Sequence, residues 1–158
     1  MRIKLAQIHN ILVKNKLTLA VAESCTGGRL SALLTQTSGS SQYFIFGIVA
    51  YHNKAKINIL KIPATTIAKF GAVSEQTAKK MAQNARLIAR TDFGIGITGI
   101  AGPTGATRTK PIGTVFIALA QKNRVLCKKF IFKGRRITVQ NQAALKALEL
   151  LEEAAGNL

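Results

Sequence analysis

Acidic residues are scarce in this chain: six Asp plus Glu stand against 23 Lys plus Arg in 158 residues. The single aspartate is Asp92, and half of the acids (Glu149, Glu152, Glu153) crowd near the C-terminal end. Histidine is as rare, with only His9 and His52. A metal-dependent hydrolase needs three or more ligands from His, Asp, Glu or Cys, which this supply hardly meets. A Ser-His-Asp triad needs a base and an orienting acid, but His9 falls in an expected helix and Asp92 at the start of an expected strand. Cys25 and Cys127 form no C-x-x-C pair and no disulfide framework, which points to reduced thiols. No apolar run is long enough to cross a bilayer, so no membrane partner is expected. The opening M-R-I-K-L-A-Q-I-H-N lacks the marks of a signal peptide, so a cytoplasmic location is expected.

What the chain has in excess is positive charge, 23 − 6 = +17 with a pI near 10.6. Such a balance suits nucleic acid, an anionic small molecule, or a generally basic proteome. The basic residues are scattered, no nucleic-acid motif accompanies them, and the aromatic residues show no stacking pattern. A dedicated nucleic-acid partner is therefore not favoured.

Hydrophobic spacing predicts alternating elements. Ile3, Leu5, Ile8, Ile11 and Leu12 recur at helical period over residues 2–15. Strands are expected at 18–22, 43–51, 93–97, 113–120 and 125–132, the last two joined as a hairpin. Helices are expected at 29–37, from Asn53 as N-cap to about Leu60, from Pro63 to Gly71, from Ser74 as N-cap to Arg90, and at 136–153. Helices set between strands, with some strands directly adjacent, predict a single three-layer α/β/α domain with a mixed sheet over residues 1–158.

Four segments fall where strands end or in the loops between elements, and there an open α/β sheet keeps its ligand crevice. The first is A-E-S-C-T-G-G (Ala22–Gly28), which sets three potential nucleophiles, Ser24, Cys25 and Thr26, before two glycines and a helix. Unpaired amides at such a turn can hold an anion or a developing oxyanion. In its plain structural role Thr26 caps the helix and the glycines relieve crowding. The second segment is Gly39-Ser40-Ser41. The third, Y-H-N-K-A-K, carries Tyr51, Asn53 and Lys56. A buried lysine loses its proton more readily and can activate a serine, with the Tyr51 hydroxyl relaying or orienting a proton. The fourth is T-G-I-A-G-P-T-G (Thr98–Gly105), whose glycines let backbone amides approach an anion. Gly94–Gly99 spells G-x-G-x-x-G, but the first glycines fall inside a strand and no acid lies between Asp92 and Glu149, which excludes a dinucleotide fingerprint.

Taken in order, A-E-S-C-T-G-G, G-S-S, V-A-Y-H-N-K-A-K, G-A-V-S-E, T-G-I-A-G-P-T-G and K-P-I-G-T-V resemble the C-terminal domain family of the competence-damage-inducible protein CinA. The motifs span Ala22 to Val115, and the hydrophobic pattern extends the likeness over most of the chain. The resemblance is to the stand-alone form, without the molybdopterin-binding-like domain that precedes this domain in longer members. It implies a nicotinamide-nucleotide amidase that hydrolyses nicotinamide mononucleotide to nicotinate mononucleotide and ammonia, with no metal or cofactor, as a homodimer. It also implies Ser24 as nucleophile, Lys56 as base or proton shuttle, and Tyr51 as their partner. Amides of Thr26, Gly27 and Gly28 would hold oxyanion or phosphate. Glu23, Ser40, Ser41, Asn53, Thr98, Gly99 and Lys110 would complete the substrate pocket. The alternative is a non-catalytic module that binds nucleic acid or protein. Departures from the family pattern are Ala106 for a glycine, Arg135 for an acid, His52 for a small polar residue, and Gln140 for an arginine.

Overall fold

The computed structural model describes residues 5–156. Its elements run α1 (Leu5–Lys14), β1 (Leu19–Glu23), α2 (Arg29–Thr35), a 3-10 turn (Ser40–Gln42), β2 (Phe44–Val49), α3 (Asn53–Asn58), α4 (Ala64–Phe70), α5 (Glu75–Ala89), β3 (Phe93–Gly99), β4 (Thr114–Ala120), β5 (Val125–Ile131) and α6 (Arg136–Gly156). Residues 2–4 of the expected first helix lie outside the described residues. Every other expected element is present, with ends shifted by a few residues.

The strands form one mixed sheet in the order β2-β1-β3-β4-β5. β1 pairs in parallel with β2 and β3, whereas β4 is antiparallel to both β3 and β5. The inner strands β1, β3 and β4 are buried along nearly their whole length, while edge strands β2 and β5 are only partly covered. That division follows from helices covering both faces, which leaves water access only at the sheet margins. Alternation along β1 sends Leu19 and Val21 into a core shared with α1, α2 and α6. Ala20 and Ala22 face the opposite layer, with Leu60, Met81 and Ala85.

The layers differ in thickness because the residues between them differ in size. On the α6 side the contact is made by Val139, Leu148 and Leu151, all fully buried. On the α5 side it is made by Ala78 and Ala82 over Ala118 and Ala120. Here Gly94 and Gly96 acquire a reason unrelated to nucleotides. A Cβ at Gly94 would stand 2.1 Å from the Ala82 carbonyl oxygen, and one at Gly96 2.4 Å from that of Ala78. The α5 backbone rests directly on β3. We expect Gly94→Ala to lift the helix and cost about 3 kcal/mol of stability, read as a lower urea midpoint than wild type. An unchanged midpoint would show that α5 can move away freely.

Candidate active site

β1, β2 and β3 are mutually parallel, so Glu23, Val49 and Gly99 end at the same margin of the sheet. A cleft of about 170 Å³ opens there, lined by Ser24, Cys25, Tyr51, Asn53, Lys56, Thr98, Gly99 and Arg136, together with Ala72, Val73 and Ala101. Larger hollows lie between β5 and α6 and between α5 and the β4–β5 hairpin, but no serine, threonine or cysteine lines either.

The turn after β1 is built around a buried carboxylate. Glu23 is fully buried, and its Oε2 accepts from the amides of Gly28 and Leu30 at 3.1 Å each. Its Oε1 accepts from the Ser31 amide at 2.8 Å and the Ser31 hydroxyl at 2.7 Å. The N-cap residue of α2 is Gly28, at φ 93°, a left-handed conformation that costs a side-chain-bearing residue energy. Glycine brings no capping oxygen, so the strand-end glutamate reaches across to the helix and faces its positive dipole end. Two expectations are thereby corrected. Thr26 does not cap the helix, for its hydroxyl is buried without a hydrogen-bond partner. Glu23 is not a substrate group, because its oxygens are already engaged below the cleft.

Ser24 and Lys56 meet. Lys56 projects from α3 with its side chain almost completely buried, and its Nζ lies 3.0 Å from Ser24 Oγ. The same nitrogen is 2.7 Å from the Ala50 carbonyl oxygen and 3.4 Å from that of Tyr51. No carboxylate is among these partners, and burial lowers the ammonium's pKa below its ordinary value of 10.5. A neutral amine has two N–H donors and one lone pair. All three oxygens stand where they accept from Nζ; on loss of one proton the two remaining N–H groups would still serve the carbonyls and free the lone pair for the serine hydroxyl.

The neighbouring nucleophiles are less suited. Burial, the largest cause, pushes the Cys25 thiol up to about 12, so it stays protonated at neutral pH. Thr26 is completely inaccessible. His52 Nδ1 accepts from the Lys54 amide at 3.1 Å and so caps α3, the role expected of Asn53. Asp92 accepts from the amide and hydroxyl of Thr18, at the far end of the strands. Neither group of a histidine–aspartate relay stands beside Ser24.

The remaining expected residues divide. Asn53, Thr98 and Gly99 do line the cleft, with the Thr98 hydroxyl donating to the Ala72 carbonyl. Lys110 Nζ donates to the Val73 carbonyl at 2.6 Å, beside the cleft wall rather than within it. Tyr51 touches Lys56 through its backbone carbonyl, whereas its hydroxyl accepts from Arg136 at 2.6 Å. That corrects the expectation of a phenol at the Ser24–Lys56 pair. Ser40 and Ser41 precede β2, whose first residue pairs with Leu19. They therefore stand at the opposite margin of the sheet, about 15–20 Å from the cleft by strand length, and do not join it in this chain. The Gly27 amide donates to the Ser24 carbonyl and that of Gly28 to Glu23, so neither is free for an anion. Arg136 was not foreseen. It sits at the start of α6 and is tied by Nη1 to the Gly102 carbonyl at 2.8 Å.

Comparison with known proteins gives this cleft a context. The family model for the CinA C-terminal domain matches residues 3–155. The chain belongs to the CinA C-terminal domain family. A CinA-like protein of Syntrophus aciditrophicus is 50% identical over 143 residues, covering 88% of this chain and 34% of that protein. One of Thermotoga neapolitana is 46% identical over 143 residues, with 90% and 35% covered. The CinA domain thus spans about a third of the length of these curated relatives. Among solved structures, a CinA superfamily protein of Klebsiella pneumoniae superposes with a TM-score of 0.93 at 31% identity, covering 98% of this chain and 96% of that one. The competence/damage-inducible protein CihA of Agrobacterium tumefaciens gives 0.90 at 34% identity, covering 99% of both.

Proposed function

We propose that this CinA domain is a serine–lysine amidohydrolase acting on the carboxamide of nicotinamide mononucleotide. The observation that carries the chemistry is Ser24 Oγ at 3.0 Å from a buried lysine amine with no carboxylate partner. The substrate is taken from the family resemblance.

In the proposed reaction Lys56 accepts the hydroxyl proton as Ser24 Oγ attacks the amide carbon. The charge that forms on the carbonyl oxygen needs donors that already point at it. The amide of Cys25 is suited, since Cys25 lines the cleft and its N–H donates to no other described residue. Lys56 then returns its proton to the departing nitrogen, which leaves as ammonia. Water repeats the sequence against the acyl-enzyme, with Lys56 again taking a proton, and nicotinate mononucleotide is released.

The nucleotide phosphate requires a cation at the cleft. Arg136 lines it and is held at its edge by Tyr51 and Gly102. Asn53, Thr98 and Gly99 would contact the rest of the substrate. In the proposed homodimer, exposed Ile45 and Val49 on edge strand β2 offer apolar surface to a second copy. The deciding experiment is ammonia release from nicotinamide mononucleotide, which should persist in the presence of a chelator. Arg136→Met should raise KM about tenfold or more, consistent with loss of one charge-assisted contact, while free nicotinamide should be a poor substrate for both proteins. Failure to release ammonia from nicotinamide mononucleotide would refute the substrate assignment.

A further inference from the structure

The basic residues are scattered singly along the sequence, but folding gathers four of them into one place. The hollow between α5 and the β4–β5 hairpin, about 620 Å³, is lined by Lys80 and Arg86 from the helix and by Lys122 and Arg124 from the hairpin tip. No Asp or Glu is among its lining residues, and none of the four cations pairs with a carboxylate among the described residues. Lys80, Lys122 and Arg124 are exposed. Arg86 is half-buried and spends one N–H of Nη1 on the Thr91 carbonyl at 3.2 Å, which leaves its other donors free. The other two clefts are unlike it: one contains Glu153, and the candidate active site has only Lys56 and Arg136 as cations.

Topology carries the same charge sideways. Ala120 pairs with Gly94 and Leu19 with Phe93, so the hairpin tip shares a sheet margin with the segments that lead into β1 and β3. Exposed Lys16 and Arg90 lie in those segments. The acid at this margin is Asp92, whose carboxylate already accepts from the amide and hydroxyl of Thr18. This margin is the one opposite the Ser24–Lys56 cleft, about 20 Å away by strand length.

We propose that this hollow and margin bind the sugar-phosphate backbone of a single strand of nucleic acid, at a site separate from the candidate active site. Unpaired cations repel one another, and an anion placed among them relieves that repulsion. From Lys80 to Leu87 the helix runs about 10 Å, the rise of about three stacked nucleotides, which sets several phosphates against the four cations. Gln83, Gln121 and Asn123 add neutral donors for sugar and phosphate oxygens. No aromatic side chain lines the hollow, so bases have nothing to stack on and binding should be indifferent to sequence. A flat bilayer cannot follow the concave surface to half-buried Arg86.

The test is fluorescence anisotropy of a short, labelled, mixed-sequence single-stranded oligodeoxynucleotide titrated with the full chain at several salt concentrations. Four phosphate contacts at about −0.7 each predict a slope of log affinity against log salt near −3. The Lys122→Glu/Arg124→Glu double variant should lose affinity at least about tenfold, with the slope flattened to about −1.5. A control of equal charge change, Lys69→Glu/Lys133→Glu, should lose less than about threefold. Thermal midpoints would show that both are folded. Should the hairpin variant fail to fold, Lys80→Gln on the exposed face of α5 should weaken binding about threefold and flatten the slope by about 0.7. Absence of saturable binding at about 50 mM salt overturns the proposal. So does a hairpin variant, or a folded Lys80→Gln protein standing in for it, that binds no worse than the control, since net charge alone would then be responsible. Loss of binding in Arg136→Met would put the strand in the cleft and overturn it too, as would a duplex of the same sequence bound more tightly than the strand. The readout is binding, so the outcome is independent of whether nicotinamide mononucleotide is the substrate.

Discussion

Ser24→Ala is expected to reduce ammonia release from nicotinamide mononucleotide by about 10⁴-fold or more, because no other group can take over the attack. Cys25 is the obvious substitute in sequence, but burial holds its thiol protonated and the Lys56 amine is hydrogen-bonded to Ser24 rather than to the sulfur. Cys25→Ala should therefore keep most of the wild-type rate. Thr26→Val should also remain active and be no less stable than wild type, since it removes a buried hydroxyl that has no partner. Circular dichroism and thermal midpoints would show that all three variants are folded. If Ser24→Ala retains turnover and Cys25→Ala loses it, the nucleophile is the thiol.

Replacing Lys56 should be almost as damaging, and the pH dependence distinguishes its role. Lys56→Met removes the base, and Lys56→Arg substitutes a guanidinium that stays protonated, so each should lower kcat by about 10²–10⁴-fold. In wild type kcat/KM should rise with pH as Lys56 loses its proton, through an inflection below the ordinary lysine value of 10.5. The same lowered pKa affects stability with a definite sign. Between the folded and unfolded values the unfolded chain carries one more proton, so stability rises with pH across that window. Below it, folding must either strip the ammonium of its proton or bury it charged. The Lys56 contribution to the slope of thermal midpoint against pH should vanish in Lys56→Met. A rate profile indifferent to pH below 10.5, with Lys56→Met affecting KM only, would make Lys56 a substrate-binding group.

The element order was legible because the hydrophobic period changes cleanly from strand to helix, as at Ala22 to Arg29 and again at Ala89 to Phe93. The pairing of Ser24 with Lys56 was legible only as two candidates. Their contact depends on β1 and β2 lying side by side in parallel, which local pattern does not state. Ser40 and Ser41 were misplaced for a related reason: a motif before a parallel strand lies at the opposite margin from one after it. Glu23 was mistaken for a substrate group although one signal was available. It is the only acid before Glu75, and it directly follows the apolar run Leu19–Ala22. A carboxylate there must be neutralised by donors nearby, and the helix that follows at Arg29 supplies them. Arg136 could also have been found by following chain direction. β5 is antiparallel to β4, which is antiparallel to β3, so β5 ends at the cleft margin and α6 must begin there.

The role of α6 also sets the order in which the site can mature during synthesis. Gln140 Nε2 donates to the Cys25 carbonyl from 115 residues away, and Arg136 and Tyr51 are 85 apart. A chain growing from its N-terminus exposes the Ser24 turn and Lys56 long before either α6 contact can form, and such distant closures come late in folding. The nascent polypeptide therefore carries its reactive serine in an unclamped turn until the last helix docks. Activity should accompany completion of the chain, and a ribosome-stalled product ending before Arg136 should be inert.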